Sequence, residues 1–464
     1  MAVISGISSR VKIILLFDSL FCHATAVSAL KTAALLTSNR LIESGHTAYF
    51  AGGCVRDILL GIEPKDYDIA TSATPEEVQA LFPGSNAIGA HFGVILVNTG
   101  GFDFEIATFR NDGSYTDGRR PESVTFTEPE EDAQRRDFTV NGLFQDPQSG
   151  EIIDFVNGKA DLEKKLIRAI GNPEQRFQED GLRLMRAIRF VATLGFDIEP
   201  TTWQAICKHS ELLANISAER IRDEFTSIIT AKHRALGFEL LTKSGLMKHI
   251  IPEVYQLIGC EQPAQWHPEG DVYTHTQIML EMLPEKPSAR LALAVILHDI
   301  GKPPTFSFDE DEERIRFNGH DRVGAGMAEV ILGRLRYSNR LTEEVRVMVA
   351  NHMNFMNVQN MRTAKLKRFM ASPTYEDEME LHRVDCASSN GFTDNYEFLR
   401  AKEKEFAAEP LIPPPLVTGK DLIKIGMTPG PSFKEILTKI QNEQLEGRIT
   451  DRQQALDWLK REDP

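Results

Sequence analysis

The chain has 464 residues, enough for about three domains of ordinary size. Its hydrophobic content of 42% and charged content of 26% are those of a globular protein, which excludes a largely disordered chain. Lys and Arg number 52 against 67 Asp and Glu, a formal charge of -15; this argues against a protein that coats long polyanions and confines any nucleic-acid contact to a local basic site.

Residues 1–26 read as an ill-defined N-terminal extension. Arg10 and Lys12 precede IILLFDSLFCHATAVSA, which loosely resembles a signal sequence, but Asp18 interrupts the apolar run. No later stretch approaches the roughly 18 apolar residues of a membrane span. Cys22, Cys54, Cys207, Cys260 and Cys386 are scattered and never form a CxxC pair, so a reducing compartment without a disulfide framework or structural zinc is expected. The expectation is a cytoplasmic protein with no membrane partner.

ALKTAALLTSNRLIE, from Ala29, has helical spacing, and TAYFAGG then reads as a strand entering a glycine turn. AHFGVILVNTG and FDFEIATFR give two further strands, with VTFT a fourth, so this front region is α/β. After about Asp161 the strands are expected to vanish. EDGLRLMRAIRFVATLG, SAERIRDEFTSIITAKHRALGFELLTKSG and ARLALAVILHDIG carry amphipathic helical patterns, with Gly195, Gly245 and Gly301 where C-caps would fall. FDEDEERI, Phe308 to Ile315, reads as a surface loop and EPLIPPPLVTG, Glu409 to Gly419, as a linker.

Chemistry enters at GGCVRDILLGIEPKDYDIAT, Gly52 to Thr71. Asp66 and Asp68 alternate on a strand, so both carboxylates project from one face and repel unless a cation sits between them. The glycine pair Gly52 and Gly53 admits a phosphate to the backbone, and Arg56 adds charge-assisted bonds. Glu105, on the strand FDFEIATFR, is a candidate third carboxylate. Together these are the parts of a phosphoryl- or nucleotidyl-transfer site, although a lone DxD is more often a polar turn. Downstream, RRDFTVNGLF brings Arg135, Arg136, Asp137 and Asn141, and EDGLRLMRAIRF brings Glu179, Asp180, Arg183 and Arg186. On a continuous helix Asp180, Arg183 and Arg186 would share one stripe while Leu184, Ile188 and Val191 line another.

These motifs, with the DxxxGxxDL spacing of Asp154, Gly158, Asp161 and Leu162, resemble in order those of the class II tRNA nucleotidyltransferase and bacterial poly(A) polymerase family. The resemblance implies an α/β N-terminal nucleotidyltransferase domain of the polymerase-beta-like kind, followed by an all-helical neck, an HD domain and a helical C-terminal tail. It further implies that Asp66 and Asp68 bind Mg2+, that Gly52, Gly53 and Arg56 hold the triphosphate, and that Arg135, Asp137 and Asn141 meet sugar and phosphates. Asp180 and Arg183 would read the base of CTP or ATP, with Glu179 orienting that pair. The loop from Arg110, RNDGSYTDGRRPESV, matches one that helps the family switch from C to A addition, and reads equally well as a plain hairpin loop.

Farther on, His275, His298, Asp299 and Asp385 form an H…HD…D series, with His320 and His352 as additional histidines. Imidazoles and carboxylates brought together across helices suit a divalent or transition metal. The series resembles the HD phosphohydrolase domain, which uses such a metal to activate water against a phosphate ester. A degenerate domain that keeps the helices without the chemistry is the bland counterpart.

The expected boundaries are 27–165 for the nucleotidyltransferase domain, 166–260 for the helical base-recognition and RNA-binding domain, 261–390 for the HD domain, and 391–464 for a linker and tail. The leading expectation is addition or repair of the tRNA 3′-terminal CCA from CTP and ATP. Poly(A) synthesis, or addition of only CC or only A, stays open within the family. An HD hydrolase of nucleotides or cyclic phosphates with an RNA-binding front half is the reading from another class. SAERIRDEF, Ser217 to Phe225, and KLKRF, Lys365 to Phe369, are candidate basic contacts to RNA.

Overall fold

The computed structural model describes residues 29–89, 93–113, 123–389 and 391–462. The N-terminal extension and most of the loop that begins at Arg110 lie outside them. The chain divides into two compact units, residues 1–224 with 240–249, and residues 225–239 with 250–464.

The first unit opens with helix α1 (29–43) and continues as β1 (Ala48–Ala51), α2 (Gly53–Leu59), β2 (Asp68–Thr71), α3 (Pro75–Leu81), β3 (Asn86–Gly89), β4 (Val94–Thr99) and β5 (Phe102–Thr108). Next come β6 (Arg110–Asp112), β7 (Val124–Phe126), α4 (Pro129–Gln134), β8 (Leu143–Gln145), β9 (Ile152–Asp154) and α5 (Gly158–Glu163). Seven strands form one sheet in the order β3-β4-β5-β2-β1-β8-β9. Its pairs are antiparallel except β2 with β5, where Ile69 stands beside Ile106. The VTFT strand is real but lies outside this sheet, since among the described residues β7 pairs with β6 in a two-stranded sheet.

Alternation along β5 explains how the sheet serves a site. Phe104 and Ile106 turn into the core while Asp103 and Glu105 stay exposed. Leu41, Phe50, Val55, Ile69, Val78, Ile95, Phe104 and Ile106 pack in one cluster, and Phe109, Phe144, Ala133 and Ile170 in a second. Burying each large side chain contributes about 1.5–3 kcal/mol, so the strand carrying Asp68 is held by Ile69 immediately behind it. Helix α3 starts from a reciprocal capping box between Thr74 and Glu77, with Pro75 at its first turn.

Beyond α5 the strands do not vanish. β10 (Leu166–Ile167) and β11 (Asp197–Ile198) form a short parallel pair around α6 (Pro173–Glu179) and α7 (Leu182–Leu194). The run EDGLRLMRAIRF, expected as one helix, is broken: α6 ends at Glu179 and Asp180 takes an extended φ of -150°. Asp is a poor helix interior residue because its carboxylate competes for backbone N–H groups, and here Leu182 N donates to Asp180 Oδ1 at 3.0 Å. Helix α7 ends at Gly195 with φ 71°, the expected C-cap. Then follow α8 (Pro200–Lys208), α9 (Ala218–Ile229), in which the division between the units falls, α10 (Arg234–Lys243) and α11 (Met247–Ile250).

The second unit is built on α12 (Val272–Met282), α13 (Ala289–Leu297) and α14 (Lys302–Thr305), a hairpin of β12 (Phe306–Asp309) and β13 (Arg314–Phe317), then α15 (His320–Arg334) and α16 (Asn339–Asn351). FDEDEERI, expected as a loop, therefore supplies that hairpin's turn and parts of both strands. Its acidic residues sit at the turn, where Arg316 bonds Asp309 across the strands at 2.6 Å. Gly301 is not a left-handed cap either. Its φ is -83°, and a Cβ there would lie 2.2 Å from the His320 carbonyl, so it is glycine for close approach of α15. The unit closes with α17 (Thr363–Met370), α18 (Tyr375–Ser388), α19 (Asp394–Phe406), α20 (Gly419–Lys424), α21 (Pro431–Leu445) and α22 (Arg452–Glu462). Val417, Leu422, Ile440, Ile449, Ala455 and Leu459 give the last three helices a small core of their own. No helix among the described residues is long and apolar enough to cross a membrane.

Candidate functional site

A cleft of about 650 Å³ in the first unit collects Gly52, Gly53, Arg56, Asp66, Asp68, Arg135, Arg136, Asp137, Asn141, Asp180, Arg183 and Arg186. Residues spread over more than a hundred positions of sequence thus share one concavity. Glu105 and Glu179 are not among its lining residues.

Asp68 heads β2, and the pairing of Ile69 with Ile106 sets Glu105 at its side on β5. Desolvation first, then the charges of Asp66 and Glu105, push the Asp68 carboxyl up to about 6, with Arg136 opposing. A desolvated carboxylate pushed up by two neighbouring carboxylates fits a divalent cation, whose binding removes that penalty. Gly52, at φ 71°, makes the turn from β1 into α2, and a Cβ there would lie 3.0 Å from Arg136 Nη1.

The arginines of the cleft are held from behind by carboxylates. Asp132, 1% exposed, takes Arg135 on Oδ1 at 2.6 Å and Arg136 on Oδ2 at 3.0 Å. Arg56 donates to Asp57 Oδ1 at 2.7 Å through Nη2 and to Asn141 Oδ1 at 2.7 Å through Nη1, and its guanidinium lies 5.3 Å from the Phe190 ring centre. Asp137 is itself buried. Its Oδ2 accepts Arg186 Nη2 at 2.6 Å, and its Oδ1 accepts Phe138 N at 2.8 Å and Asn141 Nδ2 at 3.3 Å. Burial pushes this carboxyl up, but Arg186 and then Arg183 outweigh it and hold it at about 2.

The corner at Glu179 and Asp180 is two adjoining clasps. Glu179 Oε2 accepts Arg183 Nη1 at 2.5 Å and Arg176 Nη1 at 2.8 Å. Asp180 is gripped by Arg220, Nη1 to Oδ1 at 3.2 Å and Nη2 to Oδ2 at 2.7 Å. Arg220 belongs to SAERIRDEF, the segment expected to reach RNA, and it is this arginine that holds Asp180. In KLKRF, Arg368 is engaged by Gln441 and Asn442. Residues missed by sequence reasoning are Asp132, Arg176 and the Arg189–Glu224 pair at 2.7 Å. Only clusters of opposite charge such as EEDAQRR and RDEF could have signalled them, and such clusters are common on surfaces. Asp154 accepts from Val156, Gly158 and Lys159 N–H groups, and Asp161 accepts from Thr139 and Arg168, so this motif shapes the chain behind the cleft.

A second constellation lies wholly in the other unit, beside a cavity of about 390 Å³. His298 Nδ1 bonds Val295 O at 2.8 Å, His320 Nδ1 bonds Phe317 O at 2.8 Å and His352 Nδ1 bonds Val349 O at 2.7 Å. Carbonyls only accept, so each ring carries its proton on Nδ1 and presents an Nε2 lone pair. Those lone pairs then face other acceptors. His320 Nε2 is 3.1 Å from His352 Nε2, His298 Nε2 is 3.1 Å from Asp299 Oδ2, and His275 Nε2 is 3.1 Å from Asp385 Oδ1. The buried Nε2 atoms of His275 and His298 make no hydrogen bond. Acceptors aimed at acceptors fit a cation between them, and His275, His298 and Asp299, like Asp299, His320 and His352, could each hold one. A proton is the other remedy. Burial pushes His275 down, but the carboxylates of Asp385 at Nε2 and Glu269 at Nδ1 outweigh it and raise it to about 9.

Residues 48–168 match the model described as the Poly A polymerase head domain, 195–257 that of the probable RNA and SrmB-binding site of polymerase A, and 271–386 the HD domain. Mixed sheet, carboxylate-bearing cleft and helical continuation define a nucleotidyltransferase with an HD domain, a class that uses divalent metal. The chain is 32% identical over 422 residues to the CCA-adding enzyme of Lactobacillus helveticus, covering 90% of this chain and 93% of that one. It is 47% identical over 216 residues to that of Lactobacillus delbrueckii, a match that spans 46% of this chain and about half, 54%, of the relative. The crystal structure of the Bacillus stearothermophilus CCA-adding enzyme in complex with CTP superposes with a TM-score of 0.72 at 28% identity, covering 93% of this chain and 96% of that one. The chain belongs to the family of CCA-adding enzymes.

Proposed function

We propose that the protein builds or repairs the 3′-terminal CCA of tRNA from CTP and ATP, releasing pyrophosphate. The observation that carries this reading is the single cleft that gathers Asp66 and Asp68 with Asp180 and Arg183. One end suits a triphosphate and the other a base, with no nucleic-acid template required to choose it.

Asp66 and Asp68, with Glu105 beside them, would hold Mg2+. When bound, the ion neutralises triphosphate charge and lowers the pKa of the attacking tRNA 3′ hydroxyl. Gly52 and Gly53 present backbone without side chains, and Arg56, fixed by Asp57 and Asn141, directs its guanidinium to the phosphates. Arg135 and Asn141 would meet the sugar and phosphates, with Asp137 acting through Arg186 and Asn141. Asp180 offers acceptors and Arg183 donors to the Watson–Crick edge of the base, each held in place by a partner already engaged. We assign 27–165 to nucleotidyl transfer, 166–260 to base and RNA recognition, 261–390 to the HD domain and 391–464 to the tail, after an extension of 26 residues. Four described cysteines are free thiols, which suits work in a reducing cytoplasm.

The decisive assay offers tRNA lacking its CCA with labelled CTP or ATP. Incorporation of two C and one A residue is expected; long A tracts on unrelated RNA without C incorporation would sink the reading in favour of a poly(A) polymerase.

A second activity is favoured by the opposed acceptors of the histidine cluster. His275, His298, Asp299 and Asp385 would hold a divalent or transition metal, with His320 and His352 as further ligands, and the bound metal would activate water against a phosphate ester. Burial pushes the Asp299 carboxyl up, but His298 and then Lys302, whose Nζ is 2.6 Å from Oδ2, outweigh it and hold it well below the usual carboxylate range.

A further inference from the structure

The segment before α12, HPEGDVYTH, places two groups beside the histidine cluster that no motif uses, His267 and Glu269. The Glu269 side chain is 7% exposed. Its Oε1 lies 2.7 Å from His275 Nδ1 and 2.9 Å from His267 Nδ1, and the two rings meet edge to face with centres 5.0 Å apart. Its Oε2 is buried without a hydrogen-bond partner.

Histidine, carboxylate and histidine at this spacing could hold an ion of their own, and the atoms argue otherwise. The His275 Nε2 lone pair faces Asp385 and belongs to the cluster already described. A neutral imidazole has one proton, so that proton sits on Nδ1 and is donated to Glu269. Two ligands each about 2.0–2.2 Å from one tetrahedral ion stand more than about 3 Å apart, so contacts of 2.7 and 2.9 Å are hydrogen bonds. The other three imidazoles lean on neutral carbonyls. Among the four, His275 alone leans on a carboxylate, which fixes the ring and makes its free nitrogen a stronger donor.

We propose that Glu269 is a positioning residue of the HD centre, orienting His275 and strengthening it as a ligand for a divalent cation, with His267 pinning the carboxylate from the other side. The proposal rests on the reading of His275, His298, Asp299 and Asp385 as metal ligands.

The test titrates cobalt(II) into the full chain carrying Asp66→Ala and Asp68→Ala, so that binding reports the HD cluster, and follows affinity and the visible d–d absorption. Glu269→Gln keeps the shape and removes the charge; it should weaken cobalt binding by about 10- to 100-fold and shift the band, with His267→Ala giving a smaller loss. Unchanged affinity and spectrum in folded Glu269→Gln would overturn the proposal. Should that variant unfold, Glu269→Asp carries the test, a shifted spectrum supporting the assignment and an unaltered one ending it. His298→Ala and Asp299→Ala separate the two levels: if cobalt binding survives both, the metal-centre reading itself fails, whatever Glu269 does.

Discussion

Arg220 offers the sharpest test of how the base end of the cleft works. Both of its terminal nitrogens bind Asp180, and the two side chains are 22% and 15% exposed, so the pair is largely withdrawn from solvent. Hydrogen bonds to charged groups contribute about 1.5–3 kcal/mol when partly desolvated, and a planar fork loses little entropy in making two of them. Replacing Arg220 with Ala frees Asp180 to rotate away from the base edge while Leu182 N still holds Oδ1. If that positioning is realised in the transition state, kcat/KM for CTP falls by roughly 10- to 100-fold, at about 1.36 kcal/mol per decade. Arg220→Lys can reach one oxygen and should recover part of the loss. The Asp180→Ala, Arg220→Ala double variant should be no worse than Asp180→Ala alone, because the two act as one unit. Single-turnover addition to tRNA lacking its CCA, with CTP and ATP measured separately, gives these ratios. A folded Arg220→Ala protein within twofold of the parent for both nucleotides would show that the clasp is only an ion pair and that the reasoning is wrong.

Asp66→Ala and Asp68→Ala should each reduce nucleotide addition by roughly a thousandfold, the several kcal/mol of charge stabilisation lost with the cation, yet raise Tm slightly in metal-free buffer, because like charges are removed from a crowded trio. A fall in Tm would contradict the crowding. Gly158→Ala would place a Cβ 2.2 Å from the Thr139 carbonyl and 2.9 Å from Leu143 Cδ2, so the urea midpoint should drop by the equivalent of about 1–3 kcal/mol or more. Asp137, held at about 2 by Arg186 against burial, has a folded pKa below its unfolded value near 4. Its contribution, on the order of 2 kcal/mol, is complete above about pH 4 and is lost as pH falls from there through about 2. Urea unfolding at pH 6 and pH 3 should therefore converge for Asp137→Asn more than for the parent protein; equal acid sensitivity would exclude the pair as the cause.

What the sequence made legible was whatever depends on residue type at short spacing. A glycine pair at a strand end and an HD dipeptide closing an apolar helix declare their geometry locally, and the cleft and histidine cluster were built from them; of the two aspartates expected to alternate on one strand, only Asp68 is in β2, and Asp66 lies in the loop before it. Asp180 was misplaced because helical periodicity runs straight across EDGLRL, whereas the backbone turns where the carboxylate captures Leu182 N. The hairpin at Phe306 to Phe317 was hidden because its acidic turn resembles a solvated loop until Arg316 crosses to Asp309. The pairing of Arg220, marked only as a basic contact to RNA, and that of Glu269 were hidden for a deeper reason: their partners lie 40 residues and 6 residues away, where only the fold orients them.

The acidic chain and its arginine-rich cleft are reconciled by the pairing pattern. Seven arginines and four aspartates line the cleft. Yet Asp132, Asp137, Glu179, Asp180 and Glu224 pair with six of those arginines, Asp132 with two of them, and Asp57 with the seventh. A guanidinium has five donors and a bidentate pair consumes two, so the remainder stay available in fixed directions. On the proposed reading the cleft would offer a triphosphate many aimed hydrogen bonds but little net positive charge, while Asp66 and Asp68 in its lining, with Glu105 on the neighbouring strand, would repel it. Selectivity follows from that balance. A polyanion without a coordinated cation would meet repulsion, while a nucleotide carrying one would find its charge matched by the carboxylates and its oxygens by donors that need no reorganisation.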